Sequence, residues 1–427
     1  MLFLTILVLS LLAIVNYEFG KKAIFYPPIV LCSVWAADLI LVWIAGDFFY
    51  PLSPETLFIF LCGCLAFSLG SWLTFFWPQG KSTEIHHLPK SSNQIVNILV
   101  LLIVAAIPLC YHWMTNFASG YGSNLLLAAR VALLDVTNEA DAGSILFKNV
   151  ASFSMMVAMI VFYENKHAKK RSFIAIVSAI AINLLTGSRA GIVLLIFALV
   201  CIDWIKNRRI RWQPLVALFV IFLLTFGLIA IYLQKGDARV DASLSENVVP
   251  IVQGFVLYAA GGLVAFDHVV RDPNIIPHNW HIDRFFLQTM NKLGGRFEVP
   301  SLHAQFVSVG PNSSFTNVYT FYFAYLDFGY IGMMGVVLAL GFFITLCYRK
   351  AISGNQIGVL IYSTLFAGLL LSIFNESLFF NLNFLLKLSV VSWLAYSFPT
   401  EWAKFSRFTK KSVAAHIAKN GGSRVPM

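Results

Sequence analysis

The run Leu184-Leu185-Thr186-Gly187-Ser188-Arg189-Ala190-Gly191-Ile192-Val193 sets an arginine between two apolar stretches. A guanidinium at the end of a membrane span is costly unless something anionic or polar receives it, so Arg189 marks a functional site by default. Gly187 can end one helix in a left-handed conformation, Ser188 can cap the next, and the first turn of that next helix offers unpaired backbone N–H groups. The planar fork of Arg189 adds donors suited to phosphate oxygens, reinforced by the positive end of the helix dipole. The chemistry such a group suits is the binding of a lipid pyrophosphate. An arginine reaching lipid head groups at a tight helical hairpin would give the same pattern.

Further candidates flank it. Arg130 lies in Leu125-Leu126-Leu127-Ala128-Ala129-Arg130-Val131-Ala132-Leu133-Leu134, which suits a short amphipathic helix on a membrane surface, as a second phosphate contact or as a head-group anchor. Arg284 and Arg296 share a later segment with Arg239, Arg271 and Lys292 and with acidic Asp237, Asp241, Asp272, Asp283 and Glu298. Mixed charge of this kind is usually a solvated surface, so most of these residues are expected to be inert. His278, His281 and His303 stand in the same segment, beside Trp280, Phe285, Phe286 and Phe297. The first histidine pair is matched by no cysteine and no second pair, so no metal is expected. A histidine as general base, or as a hydrogen-bond donor to sugar, fits better, and the rings suit stacking on carbohydrate or anchoring at an interface.

Asp327, in Tyr325-Leu326-Asp327-Phe328-Gly329-Tyr330-Ile331-Gly332, reads as a carboxylate three turns into an apolar span. There it must be neutral, hydrogen-bonded or matched to a cation, and Arg189 and Lys387 are its natural partners. A buried ion pair between helices accounts for such a residue as well as catalysis does.

The elements that position these groups follow from composition. With 59% hydrophobic and 12% charged residues and a mean hydropathy of +0.77, the 427-residue chain cannot be a soluble domain. It is expected to be an all-α polytopic membrane protein. Apolar runs long enough for roughly 30 Å of hydrocarbon fall near 1–16, 23–45, 56–77, 95–112, 149–163, 172–186, 190–205, 213–232, 318–347, 357–374 and 377–397, eleven spans in all. Lys21/Lys22, Lys81/Lys90, Lys166/Lys169/Lys170/Arg171, Lys206/Arg208/Arg209/Arg211, Arg349/Lys350 and the basic tail after 400 all lie on alternate sides of these spans. Since cytoplasmic loops hold Lys and Arg, that side is expected to be inside, with the N-terminus out. One transmembrane domain, 1–400, then carries two long outward loops, 113–148 and 233–317, and a cytoplasmic tail, 401–427. Residues 250–266 are taken as an interfacial or re-entrant helix, because a further crossing there would invert every later loop.

The net charge of +10 is spread over short loops beside spans, a pattern of topology and not of nucleic-acid binding. Residues 2–16 lack a preceding basic residue and a small-x-small cleavage pattern, so they are taken as a retained span. Cys32, Cys62, Cys64, Cys110, Cys201 and Cys347 fall inside or at the ends of spans, where they serve as small apolar residues.

Thr186-Gly187-Ser188-Arg189-Ala190-Gly191 between spans, a long outward loop next, and Asn317-x-Tyr-Thr leading into Leu326-Asp327-Phe328-Gly329-x-x-Gly332 together resemble the bacterial O-antigen polymerases of the Wzy type. Those enzymes belong with O-antigen ligases in a membrane glycosyltransferase superfamily of the GT-C kind, and the resemblance covers about residues 113–400. It implies block transfer on the periplasmic face of the inner membrane, in which a growing glycan leaves undecaprenyl pyrophosphate and joins the sugar of a new lipid-linked repeat unit. A GT-C-like fold, the lipid-linked glycans as substrate, the bilayer and a polysaccharide chain-length regulator as partners, and no cofactor are what it further implies. Arg189 matches the arginine that ligases use against the lipid pyrophosphate, and Arg284 to Gly295 matches the arginine, ten residues, glycine pattern of the polymerase loops. The first loop departs from that pattern, since Asp141 stands eleven positions after Arg130 and glycine arrives only at Gly143. Thr316-Asn317 replaces the His-Asn pair of ligases, which disfavours a ligase and leaves the general base among His303, Glu298 and Asp327, in that order.

Chemistry alone asks for the same parts. Pyrophosphate is a good leaving group, so catalysis must stabilise its developing charge with cations and orient an acceptor hydroxyl. With no covalent nucleophile evident, inversion at the anomeric carbon is expected. A flippase for the same lipid-linked sugars is the competing class, although no half of the chain repeats the other and the outward loops are long for a rocking carrier.

Overall fold

In a computed structural model, the described residues are 1–77, 93–118, 142–164, 169–186, 189–208, 227, 244–272, 284–298, 306–311, 314–318, 321–374, 378 and 381–396. Among them the helices are α1 (Leu2–Phe19), α2 (Pro27–Ala45), α3 (Pro54–Leu73), α4 (Asn93–Ala118), α5 (Ala142–Glu164), α6 (Lys169–Leu185), α7 (Arg189–Asn207), α8 (Leu244–Arg271), α9 (Arg284–Lys292), α10 (Ala324–Ile352), α11 (Gln356–Leu370) and α12 (Leu382–Tyr396). Nine of these described helices are long and apolar enough to cross a membrane. The chain is an all-α, multi-pass membrane protein.

Local chemistry sets the helix starts. Pro27 and Pro28 occupy the first turn of α2, where a missing N–H is harmless. Ser53 caps α3 by accepting from Thr56 N, ahead of Pro54. Asn355 Oδ1 accepts from Gly358 N at 2.7 Å to begin α11.

The tightest seam joins α3 to α10. A Cβ on Gly70 would come 1.9 Å from Leu338 O, one on Gly341 2.1 Å from Phe67 O, and one on Gly63 2.0 Å from the Tyr322 ring. Membrane helices gain little from burying apolar surface against one another, so they associate through small residues that let backbones approach and through interhelical hydrogen bonds. Both devices operate here. Ser71 Oγ donates to Gly341 O at 3.1 Å, and Thr345 Oγ1 donates to Ser71 Oγ at 2.8 Å.

The alternation of sides can be followed through contacts. Lys21 after α1, Arg208 after α7 and Arg349 near the end of α10 line one cavity, so these three basic loops share one end of the bundle, the basic end. At the far end, Ser53 N and Oγ donate to Asp267 on α8, Arg271 pairs with Asp267 at 2.7 Å, and Tyr50 N donates to Val309 O at 2.9 Å.

Several expectations change against this architecture. Asp327, read as three turns into a span, stands in the first turn of α10, half-buried, because Phe321 to Phe323 form a turn and the helix begins at Ala324. The loop 233–317 holds α8, α9 and a small hairpin of β1 (Phe306–Ser308) and β2 (Phe315–Asn317), paired antiparallel with Val307 opposite Thr316. Within the 377–397 run the described helix is α12, 15 residues or about 22 Å of helix, and residue 397 lies outside the described residues. The run 250–266 lies within a 28-residue helix that by length and composition could itself cross a membrane. Its named contacts nevertheless gather at the far end: Tyr258 against Phe374, Gly261 against Thr316, His268 against Tyr50 and Asp267 on Ser53. The span 213–232, apart from residue 227, and the tail after 400 lie outside the described residues.

Candidate functional site

The far end is built by the starts of α3, α7 and α10, the hairpin, α8 and the 3-10 turn Leu371–Ile373. α7 and α11 pack closely, and because Arg208 just after α7 donates to Ile352 O just before α11, they run antiparallel. Because α7 ends at Asn207, just before Arg208 on the basic end, its first residue, Arg189, begins at the far end, about 28 Å away along the helix axis. Ser188, Arg130 and His303 lie outside the described residues, as do the side chains of Arg189 and Arg284.

Arg284 is the first residue of α9, and the glycines after that helix have a structural role. Gly294 takes φ +100° and Gly295 N donates to Met290 O at 2.9 Å, which closes the helix end; Asn291 then ties Phe297 back through two 2.7 Å bonds. Arg296 and Glu298 follow, exposed, in irregular chain after α9. Lys387, offered as a partner for Asp327, donates to Asn149 Oδ1 on α5 at 2.7 Å.

Around Asp327 the backbone breaks. Gly329 adopts φ 64°, ψ −164°, a region open essentially to glycine alone, so α10 is two helical pieces joined at that point. An added Cβ there meets nothing within 4 Å. Gly329→Ala should therefore lose about 1–3 kcal/mol through backbone strain alone, seen as a lower unfolding midpoint in detergent; an unchanged midpoint would mean that the break is not held.

Sequence reasoning overlooked three features of this end. The first is the Asp267 clamp, with a buried carboxylate whose partners come from α3 and from Arg271, whose guanidinium also donates to Pro51 O. It fastens α8 across the bundle end and so explains Arg271 as structural. The second is Glu55, whose Oε1 accepts from the hydroxyls of Tyr325 and Tyr330 at 3.3 and 3.5 Å, with the half-exposed ring of Phe58 against Tyr330. A carboxylate among amphipathic rings is a surface on which a sugar can both stack and hydrogen-bond.

The third is Asp38. It stands two turns before the far end of α2, 2% exposed, and among the described residues neither carboxyl oxygen has a hydrogen-bond partner. Trp35 Nε1, one turn earlier, and Ser372 Oγ, in the 3-10 turn packed on α2, are likewise buried without partners. An orphaned buried polar group destabilises a fold by about 1–3 kcal/mol. Asp38→Val should therefore leave stability unchanged or raise it by that amount, measured as the thermal midpoint in detergent. A loss of more than about 1 kcal/mol would show instead that the carboxyl is bonded.

No family model, curated protein or solved structure matches the chain. Fold and composition define its class as a multi-pass α-helical membrane protein.

Proposed function

We propose that the chain is a membrane glycosyltransferase that polymerises undecaprenyl-pyrophosphate-linked oligosaccharide repeat units into O-antigen or a related surface polysaccharide, working on the periplasmic side of the inner membrane. The observation that carries this is the sharing of one bundle end by the N-terminal turn of α7, which bears Arg189, and the broken start of α10, which bears Asp327. The C-terminal part of α8 and the hairpin pack against each other at that end. The basic loops gather at the opposite end, which by the charge rule is the cytoplasmic one.

In this reaction the acceptor hydroxyl oxygen attacks the anomeric carbon of the growing glycan. The bond from that carbon to the carrier pyrophosphate breaks, the pyrophosphate leaves with the electron pair, and the hydroxyl proton passes to a base. Arg189, at the positive end of the α7 dipole, meets the charge developing on the pyrophosphate, and Ser188, Arg130, Arg284 and Arg296 are further phosphate contacts. His303, Glu298 and Asp327 are the candidates for the base. The Glu55, Tyr325 and Tyr330 cluster offers a wall for the sugars.

Purified protein in proteoliposomes, supplied with lipid-linked repeat units, tests this. A ladder of longer glycans is the expected result. Transfer to a lipid A core acceptor would mean a ligase, and movement of the substrate across the bilayer without new bonds would mean a carrier.

A further inference from the structure

A cavity of about 590 Å³ opens at the basic end, a size that accepts small organic ligands. Lys21, Arg208 and Arg349 line it together with Tyr26, Phe75 and Trp77, and among the described lining residues there is no carboxylate. The cations are held in place. Arg208 donates to Ile352 O at 2.9 Å with its guanidinium over the Trp204 ring, and Arg349 donates to Thr74 O. For Arg208, one bond to a carbonyl leaves most of the guanidinium's five donors for another acceptor.

Two further observations point to a ligand. Tyr26 is 2% exposed, and its hydroxyl, in the cavity wall, is buried with no hydrogen-bond partner among the described residues. Lys21, Lys22 and Arg208 are also the described non-glycine residues with positive φ, at 55°, 62° and 53°. Left-handed backbone at side-chain-bearing residues persists where the surroundings enforce it, and it clusters at ligand clamps.

We propose that this cavity binds the phosphate group of an anionic lipid. Lys21, Arg208 and Arg349 meet the phosphate oxygens, Tyr26 Oη donates to one of them, and the half-exposed rings of Phe75 and Trp77 flank the start of the acyl chains. A lipid fits better than a free anion because the cavity lies at the ends of apolar spans, where aromatic rings sit at the head-group level and basic clusters attract acidic lipids. The proposal stands apart from the glycan reaction at the other end, and neither depends on the other.

Native mass spectrometry of the full chain, from nanodiscs of phosphatidylcholine with and without phosphatidylglycerol, tests it. Wild type should retain one phosphatidylglycerol. Lys21→Gln combined with Tyr26→Phe should lower retention about tenfold or more, since a charge-assisted bond and a hydroxyl bond are lost, while Lys169→Gln, a control at the same end, should leave it unchanged. Equal retention in all three proteins would overturn the proposal, with size-exclusion profiles confirming that each is folded. Binding of inorganic phosphate to phosphatidylcholine particles, lost in the double variant, with no phosphatidylglycerol retained by wild type, would also overturn it in favour of a soluble anion.

Discussion

Arg189→Lys is expected to lower glycan polymerisation by about a hundredfold or more while the protein still inserts and folds. Lysine keeps the charge at the start of α7 but replaces a planar fork of donors with a single strongly hydrated point. Two parallel bonds to a pyrophosphate oxygen pair become one, and the bond lost is one that strengthens as charge develops in the transition state. If the arginine only anchored the hairpin in head groups, lysine would reach them equally well. Initial rates of ladder formation in proteoliposomes, normalised to folded protein, decide between these cases; wild-type rates would demote Arg189 to an anchor.

The largest effect on the fold is expected at the seam of α3 and α10. Gly341→Leu drives a branched side chain into Phe67 O, where even a Cβ would lie 2.1 Å away, and backbone cannot yield as a side-chain tip can. It also crowds the carbonyl that accepts from Ser71. A loss of about 3 kcal/mol or more follows, at the upper end for overpacking. Gly335→Leu, on the same helix with nothing within 4 Å of its added Cβ, should change stability little. Thermal unfolding of the purified variants, followed by tryptophan fluorescence, checks the pair. Equal midpoints for the two would show that α3 and α10 are not packed through their glycines.

The sequence revealed most where a pattern repeats over long distances. Lys21, Arg208 and Arg349 are far apart in the chain, yet the alternation of apolar runs and basic loops assigned them to one side, and they line one cavity. It revealed least where apolar character does not mean helix. Phe321, Tyr322 and Phe323 extend the hydrophobic run of α10 toward the N-terminus, but they are buried as a turn, with Tyr322 against Gly63 and Trp35, so Asp327 was read too deep. The strands of three residues are too short to show a period of two. α8 has the length of a span, and its tertiary partners, above all the Ser53 groups on Asp267, place its C-terminal part at the far end. Asp38 is a single acid in a strongly apolar helix, and its isolation appears only once its neighbours are in place. The helix boundary at Arg189 was legible because capping residues stand between two apolar runs there, a signal that local sequence does carry.

The central claim is that the hairpin before α7 opens outward and holds a carrier-lipid diphosphate. Ser188→Cys, in a Cys62→Ala and Cys347→Ala background that leaves the four buried cysteines, provides the direct measurement. A membrane-impermeant maleimide added to spheroplasts should label it from the periplasmic side, and undecaprenyl pyrophosphate should protect it. Labelling only in inverted vesicles, or labelling from outside that the diphosphate lipid does not slow, would contradict the account.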